Sequence, residues 1–176
     1  MRYRRSDTLG GTYFFTVNLA DRRSDALVRH INELRAVMAH VRDAHPFSVV
    51  AMVALPEHLH AILRLPPGDA DYSLRWSLIK AGFSRRLKKV EAISASREAK
   101  RERGIWQRRY WEHQIRDETD MARHVDYIHY NPVKHGWVKR PIDWRHSTLH
   151  AYIERKFLSP EWGGNFDEEI GGYGER

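Results

Sequence analysis

Two histidines separated by one residue, His58 and His60, are the side chains of this sequence best spaced to share a metal ion. They lie in an apolar run at 55–65 that is typical of a β-strand, where successive side chains alternate between the two faces. Both imidazoles therefore point to the same side. The opposite face carries apolar side chains, namely Leu59, Ala61 and Leu63. Taken alone, such a pair is more often simply two polar residues on the solvent side of a strand.

A second candidate element is the stretch 117–131, which is predicted to be a helix because Met121, Val125 and Ile128 recur at helical spacing. Asp117 can cap its first turn, and Pro132 is expected to end it. Near the end of this helix lie a phenol and an amide, Tyr127 and Asn131, which share one face because they are four residues apart. His124 lies on that face as well. If this helix face packs against the strand that carries His58 and His60, the imidazoles, the amide and the phenol lie around one metal ion.

The combination of a metal with a tyrosine is suited to phosphodiester cleavage. Tyr127 is a poor nucleophile at its ordinary pKa near 10, so a metal has to bind a phosphate oxygen and offset the developing charge. Nitrogen and oxygen ligands favour Mg²⁺ or Mn²⁺ over a closed structural zinc site, and two imidazoles suit Mn²⁺ better. The third ligand is expected to be Asn131. This residue could instead serve only as the cap at the end of the helix, and His124 is then the alternative ligand. Tyr130 is the rival nucleophile.

Two further residues near these motifs have open roles. Glu57 can orient His58 as a hydrogen-bond acceptor, or it can be a solvated turn residue after Pro56. His113 can reach the site, but a structural histidine is the more common outcome.

Positive charge is concentrated in one part of the chain. The stretch 80–116 holds twelve Lys or Arg against four Glu, a local charge of +8, while the whole chain carries +7. Together with neighbouring aromatic residues, such a block can neutralise phosphates and stack unpaired bases, although basic runs are often only solvated surface. The DNA-binding candidates are Lys80, Arg85, Arg86, Lys88, Lys89, Trp106, Arg108 and Arg109.

Composition sets the broad class. A chain of 176 residues with 41% hydrophobic residues fits one domain with its own core. The absence of cysteine excludes disulfides, thiolate zinc sites and a cysteine nucleophile, and it suits a reducing cytoplasm. No apolar stretch approaches the roughly 20 residues of a membrane helix.

Residues 159–176 are acidic and rich in glycine, which predicts a flexible tail beyond a catalytic domain at 1–158. This tail either serves solubility alone or folds over the basic groove and competes with DNA.

The predicted elements alternate in a recognisable order. Strands are expected at 12–19, 47–55, 58–65 and 110–116, and helices at 25–43 and about 73–90. Only Pro56 and Glu57 separate the second and third strands, so these should pair as an antiparallel hairpin. The order β-α-β-β-α-β predicts an α+β fold of the split βαβ type, also called ferredoxin-like or RRM-like. It has an antiparallel sheet with two helices on one face. The helix at 117–131 is an addition that carries the tyrosine.

The motifs occur in an order that resembles a known family. Residues 10–18 (GGTYFFTVN), 55–60 (LPEHLH), 106–116 (WQRRYWEHQIR) and 126–136 (DYIHYNPVKHG) are similar to motifs of the REP-associated tyrosine transposases. These belong to the single-tyrosine HUH transposases, where U is a large hydrophobic residue, here Leu59. The resemblance covers nearly the whole chain.

The resemblance implies a full set of functional expectations. Tyr127 is the nucleophile that forms a 5′-phosphotyrosine intermediate, and His58, His60 and Asn131 bind the divalent metal, since the family's third ligand lies four residues after the tyrosine. The substrate is a repetitive extragenic palindromic (REP) hairpin of bacterial DNA, cut in single-stranded form. The protein is expected to act as a monomer, with a dimer as the alternative, in the bacterial cytoplasm at the nucleoid.

Two other functions are compatible with the residues. One is a non-catalytic nucleic-acid-binding protein, because the split βαβ fold is also the RNA-recognition fold. The other is a metal-dependent phosphodiesterase that uses water as its nucleophile, with Tyr127 only donating a hydrogen bond.

Overall fold

The computed structural model describes residues 8–89, 95–99, 103–164 and 173–175. Strands run over Thr12–Asn18 (β1), Ser48–Ala54 (β2), His58–Arg64 (β3) and Trp111–Gln114 (β4). The helices are α1 (Ala26–Arg29), α2 (Ile31–Ala44), α3 (Tyr72–Arg86), α4 (Ala95–Glu98), α5 (Glu118–Lys134) and α6 (Leu149–Glu154), with a 3₁₀ turn at Pro141–Asp143. Within the described residues, no helix has the length and apolar character needed to cross a lipid bilayer.

The four strands form one antiparallel sheet in the order β2-β3-β1-β4. This is the strand order of the split βαβ fold, so the predicted fold class is confirmed. The hairpin predicted between β2 and β3 is also present. In the centre of the sheet, Thr16 of β1 lies opposite His60, and Asn18 lies opposite His58. This register places polar β1 side chains next to both histidines.

The sheet separates two apolar cores. On one face, α2 and α3 pack on Leu59, Ala61 and Leu63, together with Tyr13 and Phe15 of β1. On the other face, α5 packs through Val125 and Ile128 on a second set of apolar side chains, Phe14, Ala51, Val53, Leu55 and Ile62. The predicted face assignment for β3 is therefore correct. The two histidines are not exposed to solvent, however, because α5 covers their face and leaves each of them 0% exposed.

Some predicted element limits are wrong. The helix predicted at 25–43 is interrupted at His30, which separates α1 from α2. The helix that carries Tyr127 does not end before Pro132 but continues to Lys134. A proline in the last turn removes only one backbone donor, and the turn is completed by His135 N–H donating to Asn131 O at 3.0 Å. This extra turn brings Lys134 into the region of the site.

The outer edge of β2 is covered by the segment 146–148. Ala54 N–H donates to His146 O, and Thr148 N–H donates to Met52 O, both at 2.9 Å. The Thr148 hydroxyl also accepts from Met52 N–H at 2.8 Å. These bonds satisfy backbone groups that an edge strand otherwise presents to solvent.

Candidate active site

Hydrogen bonds at Nδ1 fix the ring orientation of both histidines of β3. Glu57 Oε1 lies 2.9 Å from His58 Nδ1, and Thr16 Oγ1 lies 2.8 Å from His60 Nδ1. The Thr16 hydroxyl donates its own proton to Tyr173 O, so His60 Nδ1 has to be the donor toward Thr16. The carboxylate of Glu57 likewise accepts from His58 Nδ1. In the neutral form of each ring the remaining nitrogen, Nε2, then carries a lone pair and is a potential metal ligand.

The orientation of the two rings allows their lone pairs to converge. Their centroids are 4.9 Å apart and their planes are nearly perpendicular, at 81°. Asn131 is 0% exposed, and its amide nitrogen donates to Glu175 Oε1 at 2.9 Å. Within the described part of the chain, His58 Nε2, His60 Nε2 and Asn131 Oδ1 are buried and lack a hydrogen-bond donor. Three buried acceptors without a donor are costly, and a bound cation would satisfy all three, so these residues fit a divalent metal.

Tyr127 lies beside this donor set on α5. Its side chain is 2% exposed, and its ring centroid is 5.2 Å from that of His60. Lys134 Nζ donates to the Tyr127 hydroxyl oxygen at 3.0 Å and lies 4.6 Å from the ring centroid. Two helical turns separate the two residues, which places both on one face of α5. The Lys134 ammonium group thus contacts the phenol oxygen of Tyr127 directly.

The C-terminal tail enters the site through Glu175. Its Oε1 accepts hydrogen bonds from the Tyr127 hydroxyl and from Asn131 Nδ2, and it lies 3.2 Å from His60 Nε2. Its Oε2 lies 2.9 Å from Lys134 Nζ and 3.5 Å from His135 Nε2. Ligand atoms of His58, His135 and Glu175 lie within 4.8 Å of one another and could hold a metal ion. One carboxylate therefore occupies the centre of the candidate site.

The residues before Glu175 are anchored to β1 and β4. Thr16 Oγ1 donates to Tyr173 O at 2.5 Å, and Asn18 Nδ2 donates to Gly174 O at 3.2 Å. Gly174 has a φ of +70°, and a Cβ at this position would lie 2.4 Å from Trp111 Cβ. Glycine is therefore required for the tail to follow this path.

The electrostatics of the site reflect burial and this carboxylate. Burial lowers the pKa of His60 to about 3, so its imidazole is neutral at pH 7. Burial, reinforced by the bond to Glu175, raises the pKa of Tyr127 above its usual range. Burial also opposes ionisation of Glu175, but its hydrogen bonds from surrounding donors hold the pKa of this carboxyl well below its usual range. With the tail in place, the tyrosine is held in its neutral form.

His124, the alternative third ligand, belongs to a different cluster. Its Nδ1 lies 2.8 Å from Asp120 O and 3.1 Å from Asp120 Oδ1, and its ring stacks on His113 at 4.7 Å and 13°. His113 Nε2 lies 2.8 Å from Asp120 Oδ2. Phe14 packs against both His124 and His60 and lies between the two clusters. Of the two alternatives, the structure places Asn131 with the histidine pair.

The other open positions also have defined surroundings. Glu57 is the hydrogen-bond partner of His58 rather than a solvated turn residue. Tyr130 lines a separate cavity with Lys139 and Pro141. Sequence reasoning missed Lys134 and His135 because both follow the proline at which the helix was expected to end. It missed Glu175 because 48 positions separate this residue from Tyr127, and no local pattern links them.

The predicted DNA-binding residues lie around the C-terminal half of α3. Side chains at the surface are those of Arg85, Arg86, Lys88, Lys89, Arg108 and Arg109. Lys80 Nζ donates to Gln107 O at 2.6 Å and so ties α3 to the segment before β4. Of these residues, Lys80, Arg85 and Arg108 line a cavity of about 650 Å³ between α3 and residues 103–110. Other residues of the basic block, Lys100 and Arg101, lie outside the described residues.

Trp106 differs from the other DNA-binding candidates. Its side chain is 7% exposed, packs against Phe83 in the first core, and donates from Nε1 to Lys80 O at 3.1 Å. This position favours core packing over stacking on a base, because most of the indole has no free face.

Comparisons with known proteins identify relatives of this chain. The family model described as transposase IS200 like matches residues 11–131. The chain is 44% identical over 171 residues to a Haemophilus influenzae protein named as a REP-associated tyrosine transposase, covering 97% of each chain. It is 45% identical over 163 residues to the REP-associated tyrosine transposase of Escherichia coli, covering 93% of this chain and 91% of that protein. A solved structure of a REP-associated tyrosine transposase bound to a REP hairpin superposes with a TM-score of 0.85 at 43% identity, covering 100% of this chain and 98% of that one.

Proposed function

The chain belongs to the IS200-like transposase family, with REP-associated tyrosine transposases as its close relatives, and from this membership we propose how its residues act on DNA. The proposed reaction is cleavage and rejoining of single-stranded DNA beside a REP-type hairpin, through a 5′-phosphotyrosine bond to Tyr127. The protein is thus a transposase whose chemistry is strand transfer rather than hydrolysis.

The observation that carries this proposal is the set of groups around the Glu175 carboxylate. A carboxylate and a phosphate are both oxyanions with oxygens that accept hydrogen bonds. Here one carboxylate contacts the candidate nucleophile, two candidate metal ligands and a lysine, namely Tyr127, His60, Asn131 and Lys134. A scissile phosphate in the same place would meet all of these groups.

Each residue has a separate part in the reaction. The Tyr127 oxygen attacks phosphorus, the bond from phosphorus to the 3′ oxygen breaks, and the departing 3′ oxygen takes up a proton. The Tyr127 proton passes to solvent, and Lys134 stabilises the negative charge that develops on the tyrosine oxygen. A free 3′ hydroxyl can later attack the phosphotyrosine and release Tyr127. Because the number of phosphodiester bonds is conserved, this rejoining needs no ATP.

His58, His60 and Asn131 are proposed to hold a divalent cation, Mg²⁺ or Mn²⁺, and His135 lies close enough to His58 to join them. When bound, such an ion polarises the scissile phosphate as a Lewis acid. Glu57 and Thr16 keep the two β3 imidazoles in the tautomer that can bind it.

The experiment that tests the reaction uses a single-stranded DNA hairpin with an unpaired 5′ extension, incubated with the full chain and Mn²⁺. The expected product on a denaturing gel is a covalent protein–DNA band that Tyr127→Phe abolishes. Tyr130→Phe is the matched control and should retain the band. Cleavage without a covalent band would support a water-using phosphodiesterase. Binding without cleavage would support a non-catalytic DNA-binding protein.

We further propose that the tail competes with DNA, not over the basic residues of α3 but in the active site itself. Gly174→Ala tests this, because a Cβ at this position meets Trp111 and prevents the tail from following its path while leaving every catalytic side chain unchanged. The variant should form the covalent product faster than the parent. Gly163→Ala is the control, since a Cβ at that glycine meets nothing within 4 Å. Equal rates for Gly174→Ala and the parent would contradict competition by the tail.

A further inference from the structure

A second cleft of about 610 Å³ lies next to the candidate active site. Its walls come from three segments: residues 22–28, the turn at Pro56 and Glu57, and residues 137–146 after α5. Two indole rings, those of Trp137 and Trp144, line it with centroids 6.2 Å apart at 41°. We call it the tryptophan cleft.

Trp137 is unusually exposed for so large an apolar side chain. It is 52% exposed, whereas Trp106 is 7% and Trp76 is 0% exposed. Its backbone is nevertheless fixed, because Trp137 N–H donates to Pro132 O at 2.9 Å. Trp144 is fixed through its side chain, since Nε1 donates to Ala54 O at 3.0 Å. The cleft therefore presents aromatic faces that need little ordering before a flat ligand stacks on them.

The charge around the cleft favours an anionic ligand. Its acidic residues are already paired: Asp25 with Arg29 at 2.8 Å, Asp143 with Arg140 at 2.7 Å, and Glu57 with His58 at 2.9 Å. Basic side chains of Arg23 and Arg145 are exposed at the cleft. Aromatic faces flanked by guanidinium groups are the surface that binds an unpaired nucleotide, whose base stacks while its phosphate is neutralised.

Two residues link the cleft to the candidate active site. Glu57 lines the cleft and is also the hydrogen-bond partner of His58. Arg22 lines the cleft, lies 3.5 Å from Glu57 and donates to the Glu175 carbonyl at 3.0 Å. A DNA strand with its phosphate at the position of the Glu175 carboxylate can therefore continue directly into the cleft.

We propose that the tryptophan cleft binds an unpaired base of the DNA strand adjacent to the scissile phosphate. The base stacks on Trp137, and Arg145 neutralises the phosphate beside it. This inference rests on the proposed action on single-stranded DNA, and it adds a strand-binding site separate from the basic residues of α3.

Affinity measurements with two DNA probes test the proposal. One probe is a REP-type hairpin with unpaired extensions on both sides, and the other is the same hairpin with blunt ends. Both are titrated against the full chain carrying Tyr127→Phe, so that the DNA stays intact. Adding Trp137→Ala should weaken binding of the extended probe by about 5- to 150-fold, the range for loss of one stacked base. Binding of the blunt probe should not change.

Further variants separate stacking from other effects. Trp137→Phe keeps an aromatic face and should retain most of the affinity, whereas Trp137→Leu keeps only apolar area and should not. Phe157→Ala is the control, because Phe157 is 68% exposed and does not line the cleft. Arg145→Gln should reduce the salt dependence of binding by about one phosphate contact.

The outcomes distinguish this inference from the proposed reaction. If Trp137→Ala weakened the affinity for both probes equally, the cleft would contact the duplex. If it weakened the affinity for neither probe, the cleft would bind no DNA. Both results overturn the inference, even if the parent protein forms the Tyr127 adduct. Loss confined to the extended probe supports the inference, even if that adduct is never formed.

Discussion

Two clusters, each with two histidines and a carboxylate, lie on the same side of the sheet and differ in what the carboxylate does. Beside β3, Glu57 contacts His58 at Nδ1 and Thr16 contacts His60 at Nδ1, which leaves Nε2 of each ring buried and, among the described residues, without a hydrogen-bond partner. In the other cluster Asp120 contacts both His113 and His124, and it also accepts from the Arg116 backbone N–H at 3.0 Å. The Glu57 carboxylate orients a potential metal ligand, His58. The Asp120 carboxylate instead links the rings of His113 and His124 to the backbone of Arg116.

Ring orientation separates the clusters more clearly than distance does. Potential ligand atoms of His113, Asp120 and His124 lie within 4.8 Å of one another, and so do those of His58, His135 and Glu175 beside β3. The β3 rings are nearly perpendicular at 81°, so their in-plane lone pairs can meet at one ion. The rings of His113 and His124 are nearly parallel at 13°, so their lone pairs point along separate planes. Proximity of histidines alone is therefore poor evidence for a metal site.

The largest expected difference between the clusters is in catalysis. His60→Ala should lower the rate of covalent adduct formation by more than about 100-fold, because it removes a proposed metal ligand next to the nucleophile. His113→Ala should retain most of the rate and lose only stability. Single-turnover assays in Mn²⁺ measure both variants. Comparable losses of rate in the two folded proteins would remove the functional distinction.

A smaller effect is expected from the carboxylate partners. Glu57→Gln keeps a hydrogen-bond acceptor beside His58 but removes the charge, so Mn²⁺ affinity should fall by about 10-fold or more. Asp120→Asn should leave Mn²⁺ affinity unchanged. Isothermal titration calorimetry reports both values directly. If Asp120→Asn weakened Mn²⁺ binding as much as Glu57→Gln, the second cluster would also be a metal site.

The smallest expected effect is on stability. Burial opposes ionisation of Asp120, but hydrogen bonds with His113 and the Arg116 amide lower the pKa of this carboxyl overall. Its stabilising contribution is therefore present above the unfolded-state pKa of about 3.9 and is lost as pH falls through the lower folded value. Asp120→Asn should cost about 1–2 kcal/mol at pH 7 and progressively less below about pH 4. Urea unfolding of the parent and of Asp120→Asn at pH 7 and below pH 4 measures the difference in their free energies of unfolding. A larger difference in acid would contradict a stabilising role for the ionised Asp120.

The period of a strand explains why the histidine pair was predictable. Residues two apart on a strand lie on the same face, and the short turn at Pro56 and Glu57 predicts the pairing of β2 with β3. The shared face of His58 and His60 could therefore be predicted without long-range information. Tyr127 and Asn131 share a helix face for the corresponding reason. Helical spacing also placed His124 on that face, but it could not reveal that Phe14 separates this residue from the pair.

The remaining features depend on contacts that local patterns do not encode. The last turn of α5 is stable despite Pro132, because the following backbone amides complete its hydrogen bonding, and this turn supplies Lys134. The tail reaches the site through bonds to β1 that join residues more than 150 positions apart. A glycine-rich acidic composition predicted flexibility there, whereas Thr16 and Asn18 hold the described end of the tail in place.

The segment 146–148 also determines how copies of this chain can meet. Strand addition at an open sheet edge is the usual route by which β-proteins form fibres or unwanted dimers. At the β2 edge the backbone donors and acceptors of Met52 and Ala54 are already used within the chain. An incoming strand would have to displace those bonds, so this edge resists strand addition even at high protein concentration.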